Sequence, residues 1–140
     1  MIQDNFIMTG ALSIAINNKI VAEVPNTVVT GGKSWVADRM NNANTVMTHM
    51  AIGTGSAAVQ PANTSLATES ARVTLTSTSV SANSIVYVGT FPAGTGTGAI
   101  VEAGTFDASS GGDMLCRTVF SVVNKGANDS MVITWTVTVN

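Results

Sequence analysis

The stretch Ser130–Asn140, SMVITWTVTVN, has an apolar residue at every second position from Met131 to Val139. Threonines fill most of the places between: Thr134, Thr136 and Thr138. Successive side chains of a strand point to opposite faces, so this order gives one apolar face and one hydroxyl-bearing face. It predicts an antiparallel strand with one buried side.

A similar alternation recurs along the chain and indicates about eight strands. It is present in residues 12–16, 20–24, 46–52, 72–80, 84–91, 99–106 and 114–123. Clusters that favour turns separate several of these segments, among them Asn17-Asn18, residues 81–83 and the DASSGGD stretch at 107–113. Short turns between successive strands favour antiparallel pairing.

One segment changes period. Trp35, Val36 and Met40 recur at helical spacing after Gly31-Gly32, which predicts one short helix near residues 32–41. Residues 54–65, rich in Ser, Ala, Thr and Asn, predict an irregular surface connection, followed by one helical turn at 66–69.

Strands joined by short turns, with one short helix, predict an all-β fold, because helices do not alternate with strands as they do around a parallel sheet. The specific expectation is an antiparallel β-sandwich-like single domain over residues 10–140. An N-terminal arm over residues 1–9, without obvious regular structure, precedes it. At 140 residues the chain is long enough for one domain with its own core.

Charged residues are scarce. They make up 10% of the sequence, against roughly 25% in typical soluble domains, while apolar residues make up 45% and the mean hydropathy is +0.33. A freely dispersed monomer needs a charged surface. The composition therefore predicts a homo-oligomer, with a trimer as one possible form.

Net charge and hydropathy also exclude some partners. The net charge is −2 and the six basic residues are scattered, whereas phosphate binding requires them clustered. The sequence thus predicts no nucleic-acid partner. No stretch reaches the roughly 18 apolar residues of a membrane helix, so it predicts no membrane partner.

The stretch Phe91–Ile100, FPAGTGTGAI, has the spelling of a nucleotide-binding loop through Gly94, Gly96 and Gly98. Such a loop acts together with a helix that follows it directly and aims its N-terminal amides at the phosphates. Here a strand pattern follows, and the stretch contains no lysine. The stretch is therefore interpreted as a hairpin tip of small residues, which makes its glycines candidates for contact with another protein.

Other side chains give no pattern of catalysis or cofactor binding. His49 is the single histidine and Cys116 the single cysteine, so one chain does not supply a tetrahedral zinc site. Glu102 lies among apolar strand residues, and burying a carboxylate there is costly without a partner. We therefore expect a structural ion pair between Glu102 and an arginine, either Arg72 or Arg117. No catalytic residue, metal or cofactor is predicted.

Four segments, taken in order, resemble small structural proteins of tailed bacteriophages. They are GALSIAINNKIVAEVPNTVVTGGKSWVADRM, HMAIGTG followed by LATESARV, FPAGTGTGAIVEAGTFD, and MLCRTVFSVVNKGANDSMVITWTVTV. The resemblance runs from about Gly10 to Val139, and its specificity comes from the order of the segments.

The resemblance implies a non-enzymatic virion component, assembled in the host cytoplasm, that binds copies of itself and major capsid or tail proteins. A compact single domain favours a capsid-surface decoration (cement) protein, and a tail or tail-fibre adaptor is the alternative. A carbohydrate-binding module is a further alternative, but aromatic residues that could stack on sugars are few. The N-terminal candidates for partner binding are Phe6, Ile7 and Met8.

Overall fold

A computed structural model describes residues 7–42 and 45–140. It contains nine strands and one helix in these residues. They are β1 (Met8–Ile16), β2 (Lys19–Pro25), β3 (Thr27–Val28), α1 (Thr30–Asn41), β4 (His49–Gly53), β5 (Glu69–Ser81), β6 (Ser84–Phe91), β7 (Gly98–Phe106), β8 (Met114–Lys125) and β9 (Met131–Val139).

The nine strands form one antiparallel sheet in the order β2-β1-β9-β6-β5-β4-β7-β8-β3. Strand β5 connects the two halves, because residues 69–74 pair with β4 and residues 75–81 pair with β6. Its register shifts between Leu75 and Ser77, and such a bulge bends a strand and increases its twist. The sheet can therefore fold back and enclose one core.

The segment from Lys19 to Val28 brings the two ends of the sheet together. Strand β2 pairs with β1 as far as Pro25, and β3 pairs with β8. Between them, the Asn26 N–H donates to Gly10 O at 3.0 Å, while Thr118 Oγ1 donates to Pro25 O at 2.8 Å. The second bond joins β2 to β8, so the barrel is nearly closed at this point. Pro25 has no N–H and cannot add a ladder bond there.

The prediction of an all-β, antiparallel single domain with one short helix is confirmed. The finer prediction, a β-sandwich, is not matched: the sheet is continuous and nearly closed into a barrel. The physical reason is the 13-residue strand β5, which takes part in both halves and leaves no gap between two separate sheets.

Several boundaries differ from the sequence predictions. The helix begins at Thr30, and β1 begins at Met8, so Met8 and Thr9 of the predicted arm pair with β9. Phe6 lies outside the described residues. Strand β4 begins at His49, not Val46, and the helical turn predicted at 66–69 is wrong.

The core lies between the inward faces of the two halves, and Trp135 is at its centre with none of its surface exposed. Its indole Nε1 donates to Asn26 Oδ1 at 2.8 Å. The alternation predicted for β9 is confirmed, since every apolar residue from Met131 to Val137 on this face is buried. Cys116 is also in this core, and burial raises the pKa of its thiol to about 12.

Helix α1 lies across one open end of the barrel. Its buried residue is Gly32, where a Cβ would lie 2.3 Å from Leu115 O, so glycine permits the close approach to β8. Trp35 and Val36 pack against the core, and Trp35 Nε1 donates to Thr45 O at 3.0 Å. The helix therefore covers this end through its first turns and leaves its last turn in solvent.

Candidate interaction site

The barrel end beneath α1 has an open apolar groove, called here the mouth groove. Its volume is about 340 Å³. The residues that line it come from the helix and from the ends of five strands: Met8, Trp35, Val36, Val80, Ala82, Asn83, Ser84, Ile85, Tyr87, Leu115, Val137 and Val139. Mouths of β-barrels and clefts of this size are common binding positions in proteins.

Large apolar side chains around the mouth groove are exposed to solvent. Val80, which lines the mouth groove, is 72% exposed, and Ile7, which directly precedes β1, is 56% exposed. Met40, on the adjoining groove, is 86% exposed. A second groove of about 310 Å³ lies on the other side of Met8 and Val36, between them and Met40. Contiguous exposed apolar surface of this kind marks interaction sites on soluble proteins.

The wall of the mouth groove is nearly uncharged. Its titratable member is Tyr87, whose pKa is raised to about 12 by burial and by the nearby Cys116 thiol, although Arg39 acts in the opposite direction. The phenol is therefore neutral at physiological pH. An apolar partner surface would enter this groove without desolvating an ion.

The glycine stretch lies at the other end of the barrel, and the prediction that it is a hairpin tip is wrong. Its flanking strands, β6 and β7, are separated in the sheet by β5 and β4, so residues 92–97 cross over the open end. Gly94, Gly96 and Gly98 have positive φ angles of 86°, 70° and 144°. A Cβ on Gly96 would lie 2.6 Å from Ile52 Cδ1, whereas Gly94 and Gly98 have no atoms that close.

Lys125 holds this crossover in place. Its Nζ donates to Pro92 O at 2.9 Å, and its side chain is buried. Burial lowers the pKa of the ammonium group, although Asp129 partly offsets the effect. The stretch is thus a cap fixed to the barrel, and its outward surface is the part around Gly94.

Glu102 and Arg117 form an ion pair on the outer face of β7 and β8, beneath the connection formed by residues 54–68. The carboxylate is 0% exposed and the guanidinium 1%. Arg117 donates to Glu102 Oε2 from Nη2 at 2.8 Å and from Nε at 3.2 Å. Arg72, the other arginine considered as a partner, pairs with Glu69 instead at 2.7 Å.

The Glu102 carboxylate also holds the 54–68 connection by its backbone. It accepts hydrogen bonds from the N–H groups of Gly55 at 3.1 Å, Ala67 at 2.8 Å and Thr68 at 2.7 Å. Arg117 reaches the same connection through Asn63 Oδ1 at 3.0 Å and Ala57 O at 2.9 Å. Each end of the pair is therefore bound both to its partner and to the connection.

Small residues let the connection lie directly on the sheet. The cross-strand row Arg72, Ala51, Gly104, Arg117 separates the two arginines by two small residues. A Cβ on Gly104 would lie 2.9 Å from Leu66 Cδ2, so Leu66 occupies the space between the arginines. It joins a second apolar cluster outside the barrel, made of Val29, Ala51, Leu66, Phe106 and Met114.

Arg72 fixes the adjacent turn at residues 107–113. Its Nη1 donates to Ala108 O and Gly111 O, both at 2.9 Å, and its guanidinium carbon lies 3.8 Å from the centre of the Phe106 ring. A cation above an aromatic face is attracted by the electrons of the ring. Two surface connections are therefore held by buried or half-buried arginines.

The stability of the protein should depend on pH through Glu102. Burial alone would raise the pKa of this carboxyl, but the Thr68 N–H, Arg117 and the Ala67 and Gly55 N–H groups outweigh it and lower the pKa below its ordinary value of 4.5. A lowered folded-state pKa gives stability that is complete above 4.5 and is lost as the pH falls through the folded value. We expect Glu102→Gln to be less stable than the wild type by about 3–5 kcal/mol at pH 7.

The difference in free energy of unfolding between the wild type and Glu102→Gln should narrow as the pH is lowered from 6 to 3. Protonation of Glu102 removes a charge from the wild type, whereas the glutamine of the variant has no charge to lose. Urea denaturation of both proteins across this range measures it. A gap that stays constant down to pH 3 would contradict the assignment of the lowered pKa to Glu102.

The structure places the sequence-derived candidates in three separate positions. Met8 lines the mouth groove and Ile7 directly precedes it in the chain, the glycine stretch lies at the opposite end, and Glu102 with Arg117 lies on the outer face of the sheet. Sequence reasoning missed Met40 and Val80 as surface residues. Met40 follows Trp35 and Val36 at helical spacing, but it lies in the last turn of α1, which is in solvent.

Among residues 7–42 and 45–140, no three His, Cys, Asp or Glu side chains lie close enough together to hold a metal ion. In the same residues, no helix has the length and hydropathy needed to cross a membrane. No protein-family model, curated protein sequence or solved structure matches this chain.

Proposed function

We propose that the protein is a non-enzymatic structural component of a tailed-bacteriophage virion, namely a capsid-surface decoration protein that self-associates and binds other virion proteins. The observation that carries this proposal is the exposed apolar surface at the mouth groove. Val80 of the mouth groove and Met40 of the adjoining groove are more than half exposed, beside half-buried Met8 and Trp35.

Methionine and aromatic side chains are enriched at the centres of protein interfaces, whereas charged residues are depleted there. The mouth groove has this composition, and the chain as a whole has few charges. A larger virion protein that covered the mouth groove would remove the apolar surface from water. In this proposal, Met40 and Val80 are the anchors and the grooves on both sides of Val36 receive partner side chains.

Two connections are held to the sheet by buried or half-buried charged side chains. Glu102 with Arg117 holds residues 54–68, and Arg72 holds residues 107–113. Ordering a loop during association costs free energy, so a fixed loop binds better than one that must be ordered. This supports a protein whose task is to present a rigid surface.

The surroundings of Cys116 and His49 also favour a structural role for the protein over a catalytic one. Burial raises the pKa of Cys116 to about 12, so its reactive thiolate is scarce at neutral pH. His49 contacts threonine hydroxyls, with Thr48 Oγ1 at 2.7 Å from Nδ1 and Thr74 Oγ1 at 3.4 Å from Nε2. These contacts of His49 are with two hydroxyl groups and include no carboxylate, the third member of a hydrolase triad.

Charged substitutions at the mouth groove should weaken binding to particles. We expect Met40→Glu and Val80→Glu each to raise the Kd at least about fivefold, because an interface anchor contributes more than about 1 kcal/mol. The measurement is co-sedimentation of the purified protein with particles of the encoding phage from which this gene has been deleted. Val122→Glu, at a 55% exposed position on β8, is the matched control and should bind as the wild type does.

Wild-type protein that fails to sediment with the particles would overturn the proposal. Equal binding by all three variants would overturn the assignment of the mouth groove. Co-sedimentation with isolated heads and with isolated tails shows to which part of the particle the protein binds. Binding to tails alone would favour the tail adaptor over the decoration protein.

A further inference from the structure

One face of the barrel has almost no charge. It is the outer face of the half formed by β2, β1, β9, β6 and the second part of β5. Its residues are Ile20, Glu23 and Pro25 on β2, Thr9, Ala11, Ser13 and Ala15 on β1, Val132, Thr134, Thr136 and Thr138 on β9, Ser84, Val86, Val88 and Thr90 on β6, and Ser77, Ser79 and Ser81 on β5. Among these residues, called here the hydroxyl face, Glu23 on the edge strand is the single charged side chain.

The outward direction of these residues follows from register and burial. Their neighbours in sequence, such as Leu12, Tyr87 and Trp135, are buried in the core, and side chains alternate along a strand. Hydroxyl groups also meet across strands on this face: Ser84 Oγ lies 2.8 Å from Thr138 Oγ1. Solvated sheet faces ordinarily carry charged residues, since about a quarter of the residues in soluble domains are charged.

The hydroxyl face has a ridge beside a groove. Val86 and Val88 stand out along β6, whereas β1 presents the small residues Ala11, Ser13 and Ala15. The depression over β1 has an open volume of about 500 Å³ and extends to Glu23 and Thr136. Strand β9 lies between the ridge and the groove.

We propose that the hydroxyl face binds the same face of a second copy, sheet on sheet, about a two-fold axis that runs along β9. This inference specifies how the self-association within the proposed function occurs, and it rests on that part of the proposed function alone. It does not require binding to the particle. The two-fold operation places β6 of one copy over β1 of the other, and β2 of one copy over β5 of the other.

Each cross-strand row is complementary to itself under this operation. In the row Glu23, Ser13, Thr134, Val88, Ser77, Val88 of one copy meets Ser13 of the other, so a large residue faces a small one. In the next row, Val86 meets Ala11 in the same way. A two-fold interface requires such a match between one surface and itself.

The same operation gives the face's single charge a partner. Glu23 of one copy lies over Ser77 of the other, whose hydroxyl can donate a hydrogen bond to the carboxylate. No like charges meet at the centre of the interface, since Thr134 faces Thr134. The one charge therefore lies at the rim, where it remains hydrated and polar contacts are usual.

The area is sufficient for a stable pair. Nine-residue strands such as β1 and β9 are about 30 Å long, and five strands are about 24 Å wide, which gives a footprint of roughly 700 Å². Standard interfaces bury about 600–1,000 Å² on each partner, and the footprint lies within this range. A three-fold ring would need two different surfaces that fit each other, so this face predicts a dimer and not a trimer.

A charge-pair experiment tests the proposal in solution. Light scattering after size exclusion should give the wild type twice the 14.3 kDa chain mass. We expect V88K to weaken the dimer at least about tenfold, and S13D to weaken it as well. The double variant V88K/S13D should recover the dimer, because the two-fold places the introduced lysine of one copy over the introduced aspartate of the other.

The recovery distinguishes an interface from a merely structural face. Within one chain, positions 13 and 88 lie on either side of Thr134, about 10 Å apart, so the two charges would have to extend across Thr134 to pair internally, whereas the two-fold places them directly over each other. V122K is the matched control and should remain dimeric. A monomeric or trimeric wild type, or failure of the double variant to recover, would overturn the proposal, and none of these results bears on particle binding by the mouth groove.

Discussion

Arg117→Met should lower the free energy of unfolding by about 3–5 kcal/mol, because it leaves the Glu102 carboxylate buried without its counter-ion. The loss should appear locally as well. Arg117 binds Asn63 and Ala57 as well as Glu102, so the 54–68 connection loses several of its contacts with the sheet. Urea denaturation measures the global loss, and hydrogen exchange at the Ala67 and Thr68 amides measures the release of the connection.

Lys19→Met is the matched control, since it also removes a cation but at an exposed position at the start of β2. Its effect should stay within about 0.5 kcal/mol. A loss below 1 kcal/mol for Arg117→Met, with unchanged exchange in the connection, would contradict the description of the ion pair as the clamp. Removing both partners should not restore stability, because the amides bound by Glu102 would then lack an acceptor.

Trp135→Ala should destabilise the barrel by about 3–5 kcal/mol. The indole is fully buried and lies between β1 and β6, where it is opposite Leu12 and Tyr87. Its loss leaves a cavity in the middle of the core, and Asn26 Oδ1 loses the hydrogen bond it accepts from Nε1. Chemical denaturation followed by circular dichroism measures the effect.

Trp135→Phe separates the two contributions, because it keeps most of the apolar volume and removes the hydrogen bond. We expect it to cost about 1–3 kcal/mol, the usual penalty for a buried polar group without its partner. Val122→Ala, at an exposed position on β8 outside the hydroxyl face, is the control and should change the stability little. Equal stability of Trp135→Ala and the control would contradict the position of Trp135 at the centre of the core.

The faces of the strands were predictable from the sequence, but their partners were not. Alternation from Met131 to Val137 correctly identified the buried side of β9, because side-chain direction in a strand has a fixed period of two. It contains no information on which distant strand lies alongside. The bulge after Leu75 that lets β5 serve both halves lies in a run of serines and threonines without a turn signal.

The glycine stretch shows the same limit. Positive φ angles at Gly94 and Gly96 agree with the expectation of a turn of small residues. Whether such a turn closes a hairpin or crosses to another part of the sheet depends on the pairing of β6 and β7, and both pair elsewhere. Gly96 is required for close packing on Ile52 and Ala71, a contact between segments far apart in sequence.

The need for an ion partner at Glu102 could be inferred from its apolar neighbours, whereas the choice of partner needed the register. Gly104 pairs with both Ala51 and Arg117, and Ala51 pairs with Arg72, so both arginines lie in one row near the carboxylate. The 54–68 connection decides between them, because it brings Asn63 and Ala57 to Arg117. Residue type alone does not predict that contact.

The most direct test of the proposed function asks whether the protein occupies a position on a virus particle. If the proposal is correct, electron cryomicroscopy of phage particles made with and without this gene will show a difference in density. The proposal predicts density of the size of this barrel on the capsid surface, with the mouth groove, Met40 and Val80 against another virion protein. Particles with identical density in the presence and absence of the gene would contradict it.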